Sequence, residues 1–184
     1  VGVDREVTRR AVFLDRDGVL NASVVRDGRP YPPARVEDLE ILPGVPGALG
    51  ELKRAGFVLL VVTNQPDVGR GTQSRAAVEA IHERMRAELP LDAIYSCYHD
   101  DGDRCACRKP APGMLVDGAR YWDLALPASF MVGDRWRDIE AGVAAGCRTA
   151  FIDYQYDERQ PRAFDVKVTS LAEAAAWILG EITT

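Results

Sequence analysis

An α/β domain on a doubly wound, Rossmann-like parallel sheet is the fold class this sequence predicts, and three observations carry the prediction. Short, almost wholly apolar runs recur at Ala11 to Leu14, Phe57 to Val62, Ala93 to Tyr95, Phe130 to Val132 and Thr149 to Ile152. Continuous rather than alternating hydrophobicity implies burial on both faces, as in a parallel sheet covered by helices. The intervals carry helical patterns with recognisable ends, and strand alternating with helix marks domains whose ligands bind beyond the carboxyl ends of the strands.

Taken in order, the first strand ends at Leu14 and runs into Asp15-Arg16-Asp17-Gly18-Val19. Residues 21–42 fit neither period and contain Arg29-Pro30-Tyr31-Pro32-Pro33, so they predict a long excursion over the site. Pro46 suits a first helical turn and Gly56 follows Lys53-Arg54-Ala55, which predicts a helix over 45–55 that closes just before the strand 57–62. Ser74 caps a helix to about Leu89, ended by Pro90. Further helices are predicted over 113–124, 136–145 and 170–180, with an irregular stretch at 153–162. No internal repeat, low-complexity tract or interdomain linker is present.

A chain of 184 residues with 47% hydrophobic residues suffices for one buried core, so a single domain over 1–184 is expected. The net charge of −5 argues against nucleic acid or an anionic membrane as partner, so a phosphate site has to be local. No window reaches the roughly 18 to 20 apolar residues of a membrane span, and Val1 to Arg10 is charged rather than signal-like. A cytoplasmic, monomeric protein is the expectation. Cys97, Cys105 and Cys107 share a window of eleven residues with His99, which fits a metal site in a reducing compartment better than a disulfide framework. Cys147 is left over and is expected to be buried packing.

Three features fall directly after predicted strands. Asp15 and Asp17 place two carboxylates at one strand end, where one can attack and the other exchange a proton with the leaving oxygen. Thr63-Asn64-Gln65 supplies a hydroxyl and neighbouring donors suited to phosphoryl oxygens. Gly133-Asp134 brings an acid which, joined to Asp15, gives an oxygen-rich site suited to magnesium, with Asp138 four residues on in a supporting role.

The spacing Cys97-x-His99, five residues, then Cys105-x-Cys107 suits tetrahedral zinc with all four positions filled by protein. A closed site stiffens rather than activates water. Arg108 and Lys109 follow without a gap, so the loop holds two cations rigidly, and neighbouring side chains on an extended loop diverge. Lys109 can then serve a transferred group while Arg108 reaches another part of the substrate. Tyr31, Arg70 and Trp136 are candidate wall residues.

The ordered set Asp15-Arg16-Asp17-Gly18-Val19, Thr63-Asn64, Lys109 and Gly133-Asp134 resembles the four motifs of the haloacid dehalogenase-like phosphatases over roughly 11–152. The resemblance implies Asp15 as nucleophile forming an aspartyl-phosphate, Asp17 as general acid and base, and Thr63 and Lys109 as the phosphoryl clamp. It implies magnesium at Asp15, Asp17 and Asp134, with Asp17 reaching the metal through its backbone carbonyl. The chain leaves no room for the large cap domain some relatives insert, so loops alone would cover the site. A zinc loop followed by Cys107-Arg108-Lys109-Pro110 resembles two groups of that family, the heptose-1,7-bisphosphate 7-phosphatases and the histidinol-phosphate phosphatases. The run Arg108 to Met114 and Gly69-Arg70-Gly71 favour the heptose group, while the short span from His99 to Cys105 resembles the other. By that likeness a phosphorylated sugar is the substrate, and Arg108 and Arg135, with Asn64, Gln65 and Arg70, contact it. A catalytically silent sugar-phosphate-binding protein is the reading from another class.

Overall fold

Residues 9–182 are described by the structure, a computed structural model. The chain runs through β1 (Ala11–Leu14), an antiparallel hairpin of β2 (Val24–Arg26) and β3 (Arg29–Tyr31), α1 (Val45–Arg54), β4 (Val58–Asn64), the single turn α2 (Pro66–Gly69) and α3 (Arg75–Glu88). It continues with β5 (Ala93–Cys97), α4 (Gly113–Trp122), β6 (Phe130–Gly133), α5 (Trp136–Ala145), β7 (Arg148–Ile152), β8 (Val166–Val168) and α6 (Leu171–Glu181). The predicted charged stretch Val1 to Arg10 lies outside the described residues except for Arg9 and Arg10.

Six strands form one parallel sheet in the order β5-β4-β1-β6-β7-β8. The chain first builds outward from β1 through β4 to β5, then crosses back and builds the other side from β6. The direction therefore reverses between β1 and β6, and the crevice over such a reversal is where sheets of this kind bind ligands. Asp15 and Asp134 sit at those two strand ends.

Both faces of the sheet are dry, which is why the strands read as unbroken apolar runs. Val12, Leu14, Leu59, Val61 and Val132 pack with Leu49 and Leu52 of α1, Ile81 and Met85 of α3 and Ile178 of α6. Phe13, Val58, Leu60, Val62 and Met131 face the opposite layer, with Met114 and Leu115 of α4 and Ala141 of α5. Each fully buried aliphatic side chain contributes about 2 kcal/mol against exposure, so the two layers dominate stability. Cys147 is buried in the second layer, as expected.

Ser74 caps α3 by accepting from the Ala77 N–H at 3.1 Å, and Ser170 caps α6 by accepting from Glu173 at 3.2 Å. Four of these elements, β2, β3, α2 and β8, were not predicted. The hairpin of residues 24–31 interrupts the expected excursion, α2 follows Gln65, and β8 adds a sixth strand at the edge. Two strands run two residues past their predicted ends: β4 continues through Thr63 and Asn64, and β5 through Ser96 and Cys97, because these residues pair with one another across the ladder. Among the described residues no helix is long and apolar enough to cross a membrane.

Candidate active site

Lys109 lies at the centre of the site, 1% exposed. Its Nζ donates to Asp15 Oδ1 at 2.7 Å and to the Val62 carbonyl at 2.7 Å, and pairs with Asp138 Oδ1 at 2.6 Å, so all three ammonium protons have acceptors. Burial disfavours the charge, but Asp138 and Asp15 more than offset that and raise the Lys109 pKa above its ordinary value. Asn64 fixes the lysine's backbone reciprocally, its Nδ2 donating to the Lys109 carbonyl at 3.0 Å and its Oδ1 accepting from the Lys109 N–H at 3.1 Å. A side chain expected to meet substrate therefore also holds the Lys109 loop against β4.

Asp15, Asp134 and Asp138 bring three carboxylate oxygens within 4.8 Å of one another, all buried. With Lys109 as their only close ammonium partner among the described residues, the acids leave an excess of about two negative charges. Burial first, then Asp138, pushes Asp15 up to about 7, and burial, Asp15 and Asp138 push Asp134 well above the usual carboxylate range. Asp134 Oδ1 is buried without a hydrogen-bond partner, while Oδ2 accepts from Tyr156 Oη at 2.9 Å. An orphaned oxygen in a trio of acids short of about two positive charges fits a divalent oxygen-seeking cation such as magnesium. Gly18 and Gly133 make the close packing possible. Gly18 has φ +85°, and a Cβ there would fall 2.0 Å from Asp134 Oδ2, while one on Gly133 would fall 2.1 Å from the Asp138 Cβ.

Asp17 is held from several sides. Arg16 Nε and Nη2 donate to its carboxylate at 3.0–3.2 Å, Asn21 Nδ2 at 3.0 Å and Gln65 Nε2 at 2.9 Å. Gln65 also donates to Thr63 Oγ1 at 2.9 Å. Sequence reasoning placed Gln65 on substrate and Thr63 in the phosphoryl clamp. In the structure both are about 98–99% buried and lie outside the cavity lining, and Gln65 orients Asp17.

Above these groups opens a cavity of about 360 Å³, lined at its base by Asp15, Asp17, Asn64, Lys109 and Asp138 and at its mouth by Arg29, Arg70, Arg108, Arg135 and Arg137. Tyr31 and its neighbours from the hairpin form part of the wall, as expected of residues 21–42. Arg70 pairs with Asp100 at 2.5 Å, and Arg135 donates through Nε to Glu158 at 3.0 Å. Trp136 lies outside the lining and is stacked between Arg137 and Arg159, whose guanidinium carbons lie 4.5 and 3.5 Å from its ring centre. Arg16, Arg137, Tyr156 and Glu158 had no signal in the sequence beyond residue type.

Cys97, His99, Cys105 and Cys107 converge next to Lys109, their ligand atoms within 4.8 Å of one another. The sulfurs are 3.2–3.7 Å apart and His99 Nδ1 lies 3.3 and 3.5 Å from Cys107 and Cys97. Four ligands about 2.0 to 2.3 Å from a tetrahedral ion would stand roughly 3.3 to 3.8 Å apart, so the set fits zinc. Burial pushes the Cys97 thiol up to about 12, so a thiolate there calls for a cation beside it.

Comparison with known proteins gives one consistent answer. Residues 106–174 match the family described as HAD-hydrolase-like. The D-glycero-beta-D-manno-heptose-1,7-bisphosphate 7-phosphatase of Escherichia coli K12 is 36% identical, the match covering 94% of this chain and 89% of that protein. The protein of the same name from Helicobacter pylori J99 is 33% identical over 93% of this chain and 98% of its own. A crystal structure of D,D-heptose 1,7-bisphosphate phosphatase from Bordetella bronchiseptica, complexed with magnesium and phosphate, superposes with a TM-score of 0.79 at 34% identity, covering 94% of this chain and 99% of that one. By motif order, sheet order and likeness along nearly its whole length, the chain belongs to the HAD-like hydrolases, in the family of the heptose-1,7-bisphosphate phosphatases.

Proposed function

We propose that the chain is a magnesium-dependent phosphatase that removes the 7-phosphate of D-glycero-D-manno-heptose 1,7-bisphosphate through an aspartyl-phosphate on Asp15. The observation that carries this reading is Asp15, buried against Lys109 and beside Asp17 at the reversal point of the sheet. Names and likeness of the relatives support the substrate, and residues 1–184 act as one domain in it. Free cysteines support a cytoplasmic setting, and the proposed enzyme acts as a monomer.

A carboxylate oxygen of Asp15 attacks phosphorus, and Asp17, held in place by Arg16, Asn21 and Gln65, gives a proton to the departing sugar oxygen. Asp17 then takes a proton from the water that cleaves the acyl phosphate, which frees Asp15. Lys109 stabilises the charge on the transferred group, and Thr63, at the end of β4, backs the Asp17 assembly. Magnesium, held by Asp15, Asp134 and the backbone of Asp17, would supply the positive charge that lets a carboxylate approach a phosphate dianion. Zinc, held by Cys97, His99, Cys105 and Cys107, would be structural. Arg70, Arg108 and Arg135, with Asn64 at the base, contact the rest of the substrate.

A phosphate-release panel tests this, with both anomers of heptose bisphosphate and histidinol phosphate in the presence of magnesium. Heptose bisphosphate turns over fastest, and Asp15→Asn loses on the order of 10³-fold or more while keeping its melting temperature. Faster release from histidinol phosphate overturns the substrate, and undiminished turnover in Asp15→Asn overturns the mechanism and restores the silent-binder reading.

A further inference from the structure

At the cavity mouth, two guanidiniums share one carboxylate oxygen. Asp101 Oδ1 accepts from Arg108 Nε at 2.8 Å and pairs with Arg137 Nη1 at 3.3 Å. Neither cation is free to wander. Arg108 also donates to the His99 carbonyl at 3.3 Å, inside the zinc-type cluster, and Arg137 is stacked on Trp136 at 4.5 Å. The arginine side chains are 11% and 27% exposed, but that of Asp101 is 55% exposed. Two largely buried cations are thus bridged by a solvated acid.

The match between donors and acceptor is poor. Two guanidiniums carry about ten N–H donors, and a single carboxylate oxygen engages a small part of them, whereas a phosphate dianion offers three terminal oxygens and twice the charge. Burial, together with the nearby Arg108 and Arg135, lowers the pKa of Arg137, which is the condition of a cation short of anionic partners. Arg70 and Arg135 are already matched to Asp100 and Glu158. The same cavity reaches Asp15 and Lys109 at its base, where the reacting phosphate goes.

We propose that Arg137 joins Arg108 to form the subsite for the substrate's second phosphate, and that Asp101 occupies this subsite as an internal anion which bound substrate displaces. The proposal rests on the bisphosphatase reading above and deepens it. Trp136 is then a positioning residue, holding the Arg137 guanidinium toward the cavity. A monophosphate gains nothing from displacing Asp101, so the pair works as a discriminator between one phosphate and two.

Kinetics with heptose 1,7-bisphosphate and heptose 7-phosphate test the proposal, since the two share the reacting phosphate and differ in the second. The quantity read is the ratio of their kcat/KM values. In Arg137→Gln the ratio falls about tenfold, through KM of the bisphosphate, which corresponds to about 1.4 kcal/mol. In Asp101→Asn it rises about fivefold, roughly 1 kcal/mol, because the competing charge is gone. In the double variant the gain from Asp101→Asn disappears. A ratio unmoved in both variants, or one that falls in Asp101→Asn as a mere clasp of the loop would require, overturns the proposal. Wild-type turnover of heptose bisphosphate separately decides the reading beneath it. Fructose 1,6-bisphosphate against fructose 6-phosphate gives the same ratio with another sugar, so the subsite is judged even if heptose is not the natural substrate.

Discussion

Arg16 stands between two acids in a charged run, yet its side chain is wholly buried and bridges Asp17 and His82. An arginine can only donate, so His82 Nε2, 3.1 Å from Arg16 Nη1, accepts and the ring proton sits on Nδ1 toward Glu79. Burial first, then Arg16, lowers the His82 pKa from 6.5 to about 4. Between those values the folded chain binds fewer protons than the unfolded one, so stability is present above about pH 6.5 and is lost as pH falls toward 4. The loss reaches up to about 3 kcal/mol at the acid end. His82→Gln keeps an acceptor for Arg16 and should flatten the dependence, which urea unfolding between pH 4 and 7 would reveal; an unchanged slope would assign it elsewhere. Asp15, Thr63 and the pair Gly133-Asp134 were legible in the sequence because they directly follow apolar runs, and Lys109 because it follows the cysteine and histidine spacing. Arg16, Tyr156 and Arg137 were not, because their meaning lies in partners distant along the chain: His82 is 66 residues from Arg16, and Asp134 is 22 from Tyr156.

Between β5 and α4 the loop carries both the zinc-type cluster and Lys109, and its first ligand, Cys97, is the last residue of a strand. That anchors the cluster to the sheet at one end, while Asn64 anchors Lys109 at the other. About one zinc per chain should copurify, and Cys105→Ser should release it. Loosening a loop that must place an ammonium against a reacting phosphate should lower kcat by about ten- to a hundredfold, with little change in the global unfolding midpoint. Elemental analysis and a denaturant curve on the same preparation check both parts. The loop was readable from spacing because four metal-ligand residue types rarely crowd by chance. The hairpin β2–β3 and the strand β8 were not, being three residues each and largely solvent-facing or at an edge, too short for a hydrophobic period to show. The expectation that Thr63 and Gln65 meet the substrate went with a strand end put at residue 62; pairing with Ser96 and Cys97 carries β4 on to Asn64, and both side chains are buried.

At the scale of the whole molecule, the sheet with its two dry faces decides both stability and the placement of the site. Leu60, fully buried in β4 and packed near Gly118 of α4, is a plain test of that layer. Leu60→Ala should cost about 2 to 5 kcal/mol and lower the melting temperature by roughly 5 to 15 °C, and a loss below about 1 kcal/mol would mean the layer repacks. The fold class was legible because burial on both sides leaves no polar positions to blur the runs, whereas the cationic mouth, in a chain of net charge −5, emerged only from the folding together of loops. The central place of β1 also bears on how the protein is made. Its edge toward β4 can be filled early in synthesis, but Val12 to Leu14 pair on the other side with Phe130 to Val132, which leave the ribosome much later. Until then a nascent chain carries a bare apolar strand edge, open to pairing with its neighbours. Chaperone cover and the pace of translation between those two strands should therefore govern the yield of active enzyme more than any later step.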